Sequence, residues 1–289
     1  MPSRAASHSG ILGIICGGGA FPFVVADAAQ KAGWSVVMFA IRGFAEPEVA
    51  RFSYEWISIG AAGRLLARLR ARNCRDLVFV GTMTRPRLRD FRLDWKTISL
   101  LPRLARAFRG GDNHLLSAMA GAFEQEGFRL LGAHEVAPEI LAPAGALGAC
   151  RPRSQDEADI ALGFEVIRTL GPLDVGQAVV VAAGHVIALE AAEGTDLMLA
   201  RCRELRENGR ILLPPRTGVL VKATKRNQDR RIDLPSFGAR TIGLAAAAGL
   251  AGIAVEAGGT IVPDLQAVIE AADAAGVFVV GVNADGSGR

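Results

Sequence analysis

The sequence predicts an α/β protein: an N-terminal Rossmann-like domain with a parallel sheet, followed by a C-terminal α/β domain with a mixed sheet. Three observations carry this. Short apolar runs alternate with segments of helical spacing through the first half, the rhythm of a parallel sheet with helices on its faces. The apolar content comes from small aliphatic residues: half of the 289 residues are hydrophobic, only 6% are aromatic and 34 are glycine, which suits close helix-on-sheet packing. A proline-bearing stretch without periodicity, His134 to Arg153, divides the chain, and the second half carries a hairpin pattern near its start. The domains are therefore placed at 1–136 and 154–289, with a linker at 137–153.

Each element has its own signal. Ile11–Cys16 is an apolar strand run that meets three glycines, and FVVADAAQKAG has helical spacing that stops at Gly33. SVVMFAI is the next strand, AAGRLLARLRARNC a basic amphipathic helix, and DLVFVGTM a third strand running into Gly81. Residues 97–127 have a helical pattern broken at RGGDNH, and FRLLG reads as a strand. Beyond the linker, Ser154 with Glu157 three residues on predicts a capping-box helix start. QAVVVAAGHVIALEA reads as a hairpin about Ala183-Gly184, followed by a helix near Asp196–Asn208. TGVLVKAT is a strand and ARTIGLAAAAGL a helix. AGIAVEAG and TIVP are strands, DLQAVIEAADAAG a helix and VFVVGV the last strand.

The net charge of +4 hides an asymmetry. Residues 64–109 hold 13 Lys/Arg against 3 acids, a local +10, so the remainder carries −6. That pattern fits either an anionic partner or the solvated face of one or two helices. The four cysteines are scattered, which argues against a disulfide framework or a zinc site. The opening MPSRAASHSG is short and polar, unlike a signal peptide. The longest nearly uncharged run, Ile242 to Val255, is shorter than the ~18 residues a membrane span needs. A cytoplasmic protein is expected, with room for peripheral contact at the cytoplasmic face of the inner membrane.

Five stretches could carry chemistry. CGGGAFP, with Gly17, Gly18 and Gly19, lies between a strand and a helix, where main-chain N–H groups can approach phosphate. A dinucleotide fingerprint needs glycine where Pro22 stands and an acid on the second strand, so NAD is disfavoured. The alternative is a plain tight turn. Gly81, Thr82 and Arg85 end a strand, the position at which open α/β sheets bind ligands, unless they form a surface loop. Asp112 in RGGDNHLL is read first as a helix cap. In EAAEGTDLM, Glu190 and Glu193 leave a strand, Gly194 turns, and Thr195-Asp196 begin a helix. That place suits an anion and a neighbouring Mg²⁺, or ordinary capping. KRNQDRRIDLP gathers four cations and two carboxylates after Lys222. Such a mixture serves phosphoryl transfer, although a solvated loop could carry the same charges.

In their order, CGGGAFP, GTMTRP, GDNHLL, EGTDLM and KRNQDRRIDLPSFGARTI resemble the UDP-2,3-diacylglucosamine pyrophosphatase of lipid A biosynthesis, in its magnesium-dependent two-domain form. The resemblance runs from Ile11 to about Val282. It implies cleavage of a diphosphate to UMP and 2,3-diacylglucosamine 1-phosphate (lipid X), with water directed at the phosphorus on the sugar side. It also implies that the C-terminal domain is the catalytic one and that the acylated sugar nucleotide lies between the domains. Carried over residue by residue, Asp229 is the catalytic candidate and Asp233 a second one. Gly17, Gly18, Gly19, Gly81, Thr82, Arg85, Asp112, Gly194, Thr195, Lys222, Gln228 and Arg230 would bind substrate. Asp229, Glu193 and Asp196 would hold Mg²⁺. Two departures stand out: Asn113 replaces an expected second acid, and Arg226 a common proline.

The competing reading is a non-catalytic nucleotide or lipid-phosphate binding protein. A pure anion binder gains nothing from Asp229 amid four cations, which favours hydrolysis. Nucleic acid is not expected as a partner, because Tyr54 is the only tyrosine and few aromatics interleave with the arginines. A homodimer is left open by the small-residue helix at Thr241–Leu250.

Overall fold

The computed structural model describes residues 10–83, 94–97, 112–225 and 229–283, with residues 112–116 described by their backbone alone. The chain divides into two units. One is Met1–Pro138 together with Asp229–Asp233, and the other is Glu139–Gln228 together with Leu234–Arg289.

The first unit is built on five parallel strands: β1 (Ile11–Cys16), β2 (Ser35–Ile41), β3 (Ser53–Ile57), β4 (Asp76–Val80) and β5 (Arg129–Leu130). Their order is β3-β2-β1-β4-β5, so the chain's direction of travel across the sheet reverses between β1 and β4. β1 and β2 are almost wholly buried because helices cover the sheet; their runs are therefore continuously apolar rather than alternating. Pro22, at the start of α1 (Phe21–Lys31), has its ring-fixed φ preset for a first helical turn. In α2 (Ala62–Ala71), Leu66 and Leu69 go into the core and the arginines go out. Three arginines of α2 and its C-cap are engaged: Arg70 with Glu126 at 2.7 Å, the cap Arg72 with Glu55 at 2.7 Å, and Arg68, which donates to Trp56 O at 2.9 Å. In this part of the basic segment the solvated helix face is therefore what the structure shows. Such half-exposed pairs contribute only ~0–1 kcal/mol each. Arg85, Arg87, Arg89, Arg92, Arg103, Arg106 and Arg109 lie outside the described residues.

The first unit also contains α3 (Asp112–Gln125) and the single turn α4 (Ala133–Val136). The sequence reading passes over β3, and for a physical reason. It is an edge strand, Ser53 and Tyr54 are exposed, and only Ile57 is buried, so its pattern carries little apolar signal.

The second unit holds a six-stranded sheet in the order β6-β11-β10-β9-β7-β8. The strands are β6 (Gly145–Ala146), β7 (Ala178–Ala182), β8 (His185–Leu189), β9 (Val219–Lys222), β10 (Gly252–Glu256) and β11 (Phe278–Val282). β9, β10 and β11 are parallel; β7, β8 and β6 join antiparallel, which makes the sheet mixed. α5 (Ser154–Leu170) sets Ile160 and Ile167 against Val179, Val181, Val219 and Val221. The opposite face packs on α6 (Gly194–Glu207), α7 (Ala239–Ala247) and α8 (Leu265–Ala275), through Met198, Leu199, Ile242 and Val268.

Two local details differ from expectation. α5 has Arg153 as its N-cap, and Asp156, not Glu157, accepts the cap's backbone N–H at 2.9 Å. TIVP is not a strand; Ile261 makes only isolated bridges, to Leu141 and Ser236. The hairpin turn is as expected, and it is held by a partner far away in sequence. The fully buried Asp159 of α5 accepts the N–H groups of Ala183 at 3.0 Å and Gly184 at 2.7 Å.

Candidate active site

Strand order reverses between β1 and β4, and the carboxyl ends of the strands at such a point are where open α/β sheets bind ligands. Four of the expected residues meet there. Gly18 N–H donates to Thr82 O at 2.8 Å and Thr82 N–H returns to Gly18 O at 3.0 Å. Gly17 N–H donates to Val80 O at 2.9 Å. This crossing explains the glycines: a Cβ on Gly17 would stand 2.4 Å from Thr82 O, and Gly81 holds φ +100°. Gly19 (φ +88°) then leads into α1, whose cap, Ala20, offers no side-chain hydrogen bond. The first N–H groups of that helix lack a side-chain cap, an arrangement suited to an anion. Cys16 ends β1 immediately before this turn, but burial pushes its thiol up to about 12, so it is no thiolate nucleophile. Arg85 lies outside the described residues. Asp112 is the first residue of α3, and its side chain is likewise outside them.

Asp229–Asp233 forms a turn within the first unit. The N–H groups of Ile232 and Asp233 both donate to Asp229 O at 3.1 Å, and Ile232 packs on that unit's core. The Asp229 carboxylate accepts from three donors of Arg231: the backbone N–H at 3.1 Å, Nε at 3.0 Å and Nη2 at 2.8 Å. Arg231 Nη1 reaches Glu124 of α3 at 2.6 Å. The side-chain hydrogen bonds from Arg231 hold the Asp229 carboxyl below the usual carboxylate range, and the same pairing raises Arg231. Arg230 and Asp233 share this turn. Gln228 is outside the described residues. Asp233 does not cap the following helix, because α7 begins only at Ala239, with Gly238 as its cap.

A third group stands on the second unit's sheet. Lys222 ends β9 and is 6% exposed. Its Nζ donates to Thr195 Oγ1 at 2.8 Å and to Ser236 O at 2.9 Å. Thr195 Oγ1 donates to Glu190 Oε1 at 2.7 Å, and Glu190 Oε2 accepts the Gln177 N–H at 2.9 Å. Gly194 (φ +77°) starts α6 beside Thr195. Glu193 is bound by Arg201 at 2.9 Å; its own backbone N–H, first, and Arg201 hold its carboxyl below the ordinary value. Asp196 pairs with Arg240 at 3.2 Å, an exposed contact.

Glu190, Arg231, Glu124 and Ser236 were not among the expected site residues. Glu190 lies in EAAEGTDLM, and Arg231 and Ser236 in KRNQDRRIDLPSFGARTI, but the stretches alone do not show their roles, since each matters through a partner distant in the chain or through its side-chain direction. Among the described residues no three His, Cys, Asp or Glu side chains cluster to hold a metal. Each of the three expected Mg²⁺ carboxylates is paired with an arginine, Asp229 with Arg231, Glu193 with Arg201 and Asp196 with Arg240; a Mg²⁺ that keeps waters and takes oxygens from substrate phosphates would need only one or two of them.

Comparison with known proteins accounts for both units. Residues 11–140 match the family model of the LpxI N-terminal domain, and residues 143–280 that of the LpxI C-terminal domain. The UDP-2,3-diacylglucosamine pyrophosphatase LpxI of Caulobacter vibrioides is 44% identical over 272 residues, 94% of this chain and 97% of that protein. A solved structure of glycinamide-RNase-transformylase T from Mycobacterium tuberculosis aligns with 63% of this chain and 44% of its own, at 16% identity and a TM-score of 0.23, too slight a likeness to bear on the fold. With both domain models matched in order and the relative aligned almost end to end, the chain belongs to the LpxI family.

Proposed function

We propose that this chain hydrolyses the diphosphate of UDP-2,3-diacylglucosamine in lipid A biosynthesis, releasing UMP and 2,3-diacylglucosamine 1-phosphate. The 44% identity across 94% of the chain to a pyrophosphatase of that name carries the reading. The chemistry of the site supports it. The N-terminus of α1, which has no side-chain cap, and the ammonium of Lys222 suit phosphate oxygens.

Asp229 is held ionised, so at neutral pH it acts as a fixed negative charge and hydrogen-bond acceptor. A carboxylate with a depressed pKa is a poor proton acceptor, since a general base works best with its pKa near the working pH. The assignment for Asp229 is therefore to orient the attacking water or to ligate Mg²⁺. Bound Mg²⁺ would neutralise charge building on the phosphoryl oxygens. In the reaction the water oxygen bonds to the sugar-side phosphorus, the bond from that phosphorus to the bridging oxygen breaks, and UMP leaves with the bridging oxygen. No helix among the described residues is long and apolar enough to cross a membrane. Contact with the inner-membrane surface, where a diacylated sugar would be met, forms part of the proposal, as does the option of a homodimer.

The test is direct. Protein incubated with Mg²⁺ and substrate in ¹⁸O-water should release unlabelled UMP and labelled sugar 1-phosphate. Label in UMP would reverse the site of attack. Substrate recovered intact would favour the non-catalytic binding protein.

A further inference from the structure

Lys222 cannot reach its position by burial alone, because an ammonium with most of its surface removed from water needs oxygen partners. The hydroxyl of Thr195 supplies one, and the direction of that hydroxyl is itself constrained. It carries a single hydrogen. Glu190 Oε1, at 2.7 Å, is a pure acceptor when ionised, so the hydrogen goes to Glu190 and the lone pairs turn to Lys222 Nζ at 2.8 Å. The other Glu190 oxygen is fixed by the Gln177 N–H at 2.9 Å. The main chain helps to hold Glu190: its N–H donates to Ala178 O at 2.9 Å, and its carbonyl passes so close to Gly176 that a Cβ there would lie 2.1 Å from the oxygen. Both groups presented to the Glu190 carboxyl are donors. An amide could accept from one of them only by pointing its own NH₂ at the other.

We propose that Glu190 is a positioning residue: through the Thr195 hydroxyl it sets the donor direction of Lys222, which holds a phosphate oxygen of the substrate. This rests on the pyrophosphatase reading and adds to it a residue that never touches substrate. It also explains why a glutamate, one residue past β8, faces into the second unit when its neighbours Ala191 and Ala192 are more open to solvent.

A mutant cycle on the full-length protein tests it, using UMP release with Mg²⁺ and the acylated sugar nucleotide. Glu190→Gln should lower kcat/KM roughly 10- to 100-fold, the scale of loss when a binding group is displaced by about an ångström. In a Lys222→Met background the same substitution should cost nothing further, because the group it positions is gone. Thr195→Val should likewise make Glu190→Gln silent, whereas Thr195→Ser, which keeps the hydroxyl, should preserve most of the activity. Circular dichroism melting separates folding from positioning in each variant. A Glu190→Gln protein with full kcat/KM, or one whose loss multiplies with that of Lys222→Met, overturns the inference. Absence of UMP release by the unsubstituted protein defeats the pyrophosphatase reading, and this inference with it.

Discussion

At the β1–β4 crossing the polar groups are main-chain ones, and their positions are set by what cannot fit; on the second unit's sheet they are side chains, set by what they bond. Gly17, Gly18 and Thr82 are clamped through backbone hydrogen bonds of 2.8–3.0 Å. Lys222, Thr195 and Glu190 are joined only by side-chain contacts of 2.7–2.8 Å. The Asp229–Arg231 turn is of the second kind, although it belongs to the first unit. A backbone-built part should fail as a fold when a single atom is added. A side-chain-built part should fail chemically while the fold survives.

The largest expected effect is chemical. Asp229→Ala should lower kcat by about 10³-fold or more, equivalent to ~4 kcal/mol of transition-state stabilisation, with a cooperative melt retained. Near-normal turnover in a steady-state assay would remove Asp229 from the mechanism. Next comes the steric counterpart. Gly17→Ala puts a methyl group 2.4 Å from Thr82 O, where the obstacle is main chain and cannot rotate away. A loss of about 1–3 kcal/mol in urea unfolding is expected, typical of overpacking, with activity falling in parallel. If Gly17→Ala were as stable as the unsubstituted protein yet inactive, the crossing would have to be read as chemical too.

The same division governs what could be read from sequence. The glycine turn, the strand that ends at Gly81 and the hairpin at Ala183-Gly184 were legible because their signals sit within a few adjacent residues. The parallel first sheet and mixed second sheet followed from apolar runs and the place of that hairpin. Edges were less legible: β3 has too few buried residues to show a pattern, and TIVP has strand composition but only single bridges at Ile261. The start of α5 shifted by one residue because an Asp reached the cap in place of a Glu. The relay was the least legible part. Glu190, Thr195, Lys222 and Ser236 are spread over the sequence, and only the folded sheet determines which donates to which. Arg231 shows the same limit. Four cations beside two carboxylates pointed to phosphate ligands, yet Arg231 is engaged by Asp229 and Glu124.

That engagement gives a pH test. The Asp229 carboxyl titrates below its unfolded value, ~3.9 for a free aspartate, so its stabilising contribution is complete above the unfolded pKa and is lost as the pH falls through the folded one. Arg231→Gln removes the main cause of the shift. The acid limb of the activity profile should then move to higher pH, and the acid-side loss of stability should become shallower. Because Asp229 and Arg231 are both partly exposed, the change in stability itself should be small. An unmoved acid limb would show that some group other than Asp229 sets it.

The smallest effect is expected at Asp196, which makes another side-chain contact on α6. Its partner Arg240 is 80% exposed and the pair spans 3.2 Å, so solvent screens most of the attraction, and holding two long side chains together costs entropy. Arg240→Ala should change stability by no more than about 0.5 kcal/mol and leave UMP release unaltered. This near-null outcome sharpens the comparison, because Thr195 and Asp196 are adjacent in sequence and differ in partner: one bonds a buried ammonium, the other an exposed guanidinium. A side-chain contact should matter to function when its partner is desolvated and directional. If Arg240→Ala instead impaired turnover at unchanged stability, the functional group on α6 would extend outward from Thr195 to Asp196, and burial would no longer separate working contacts from incidental ones.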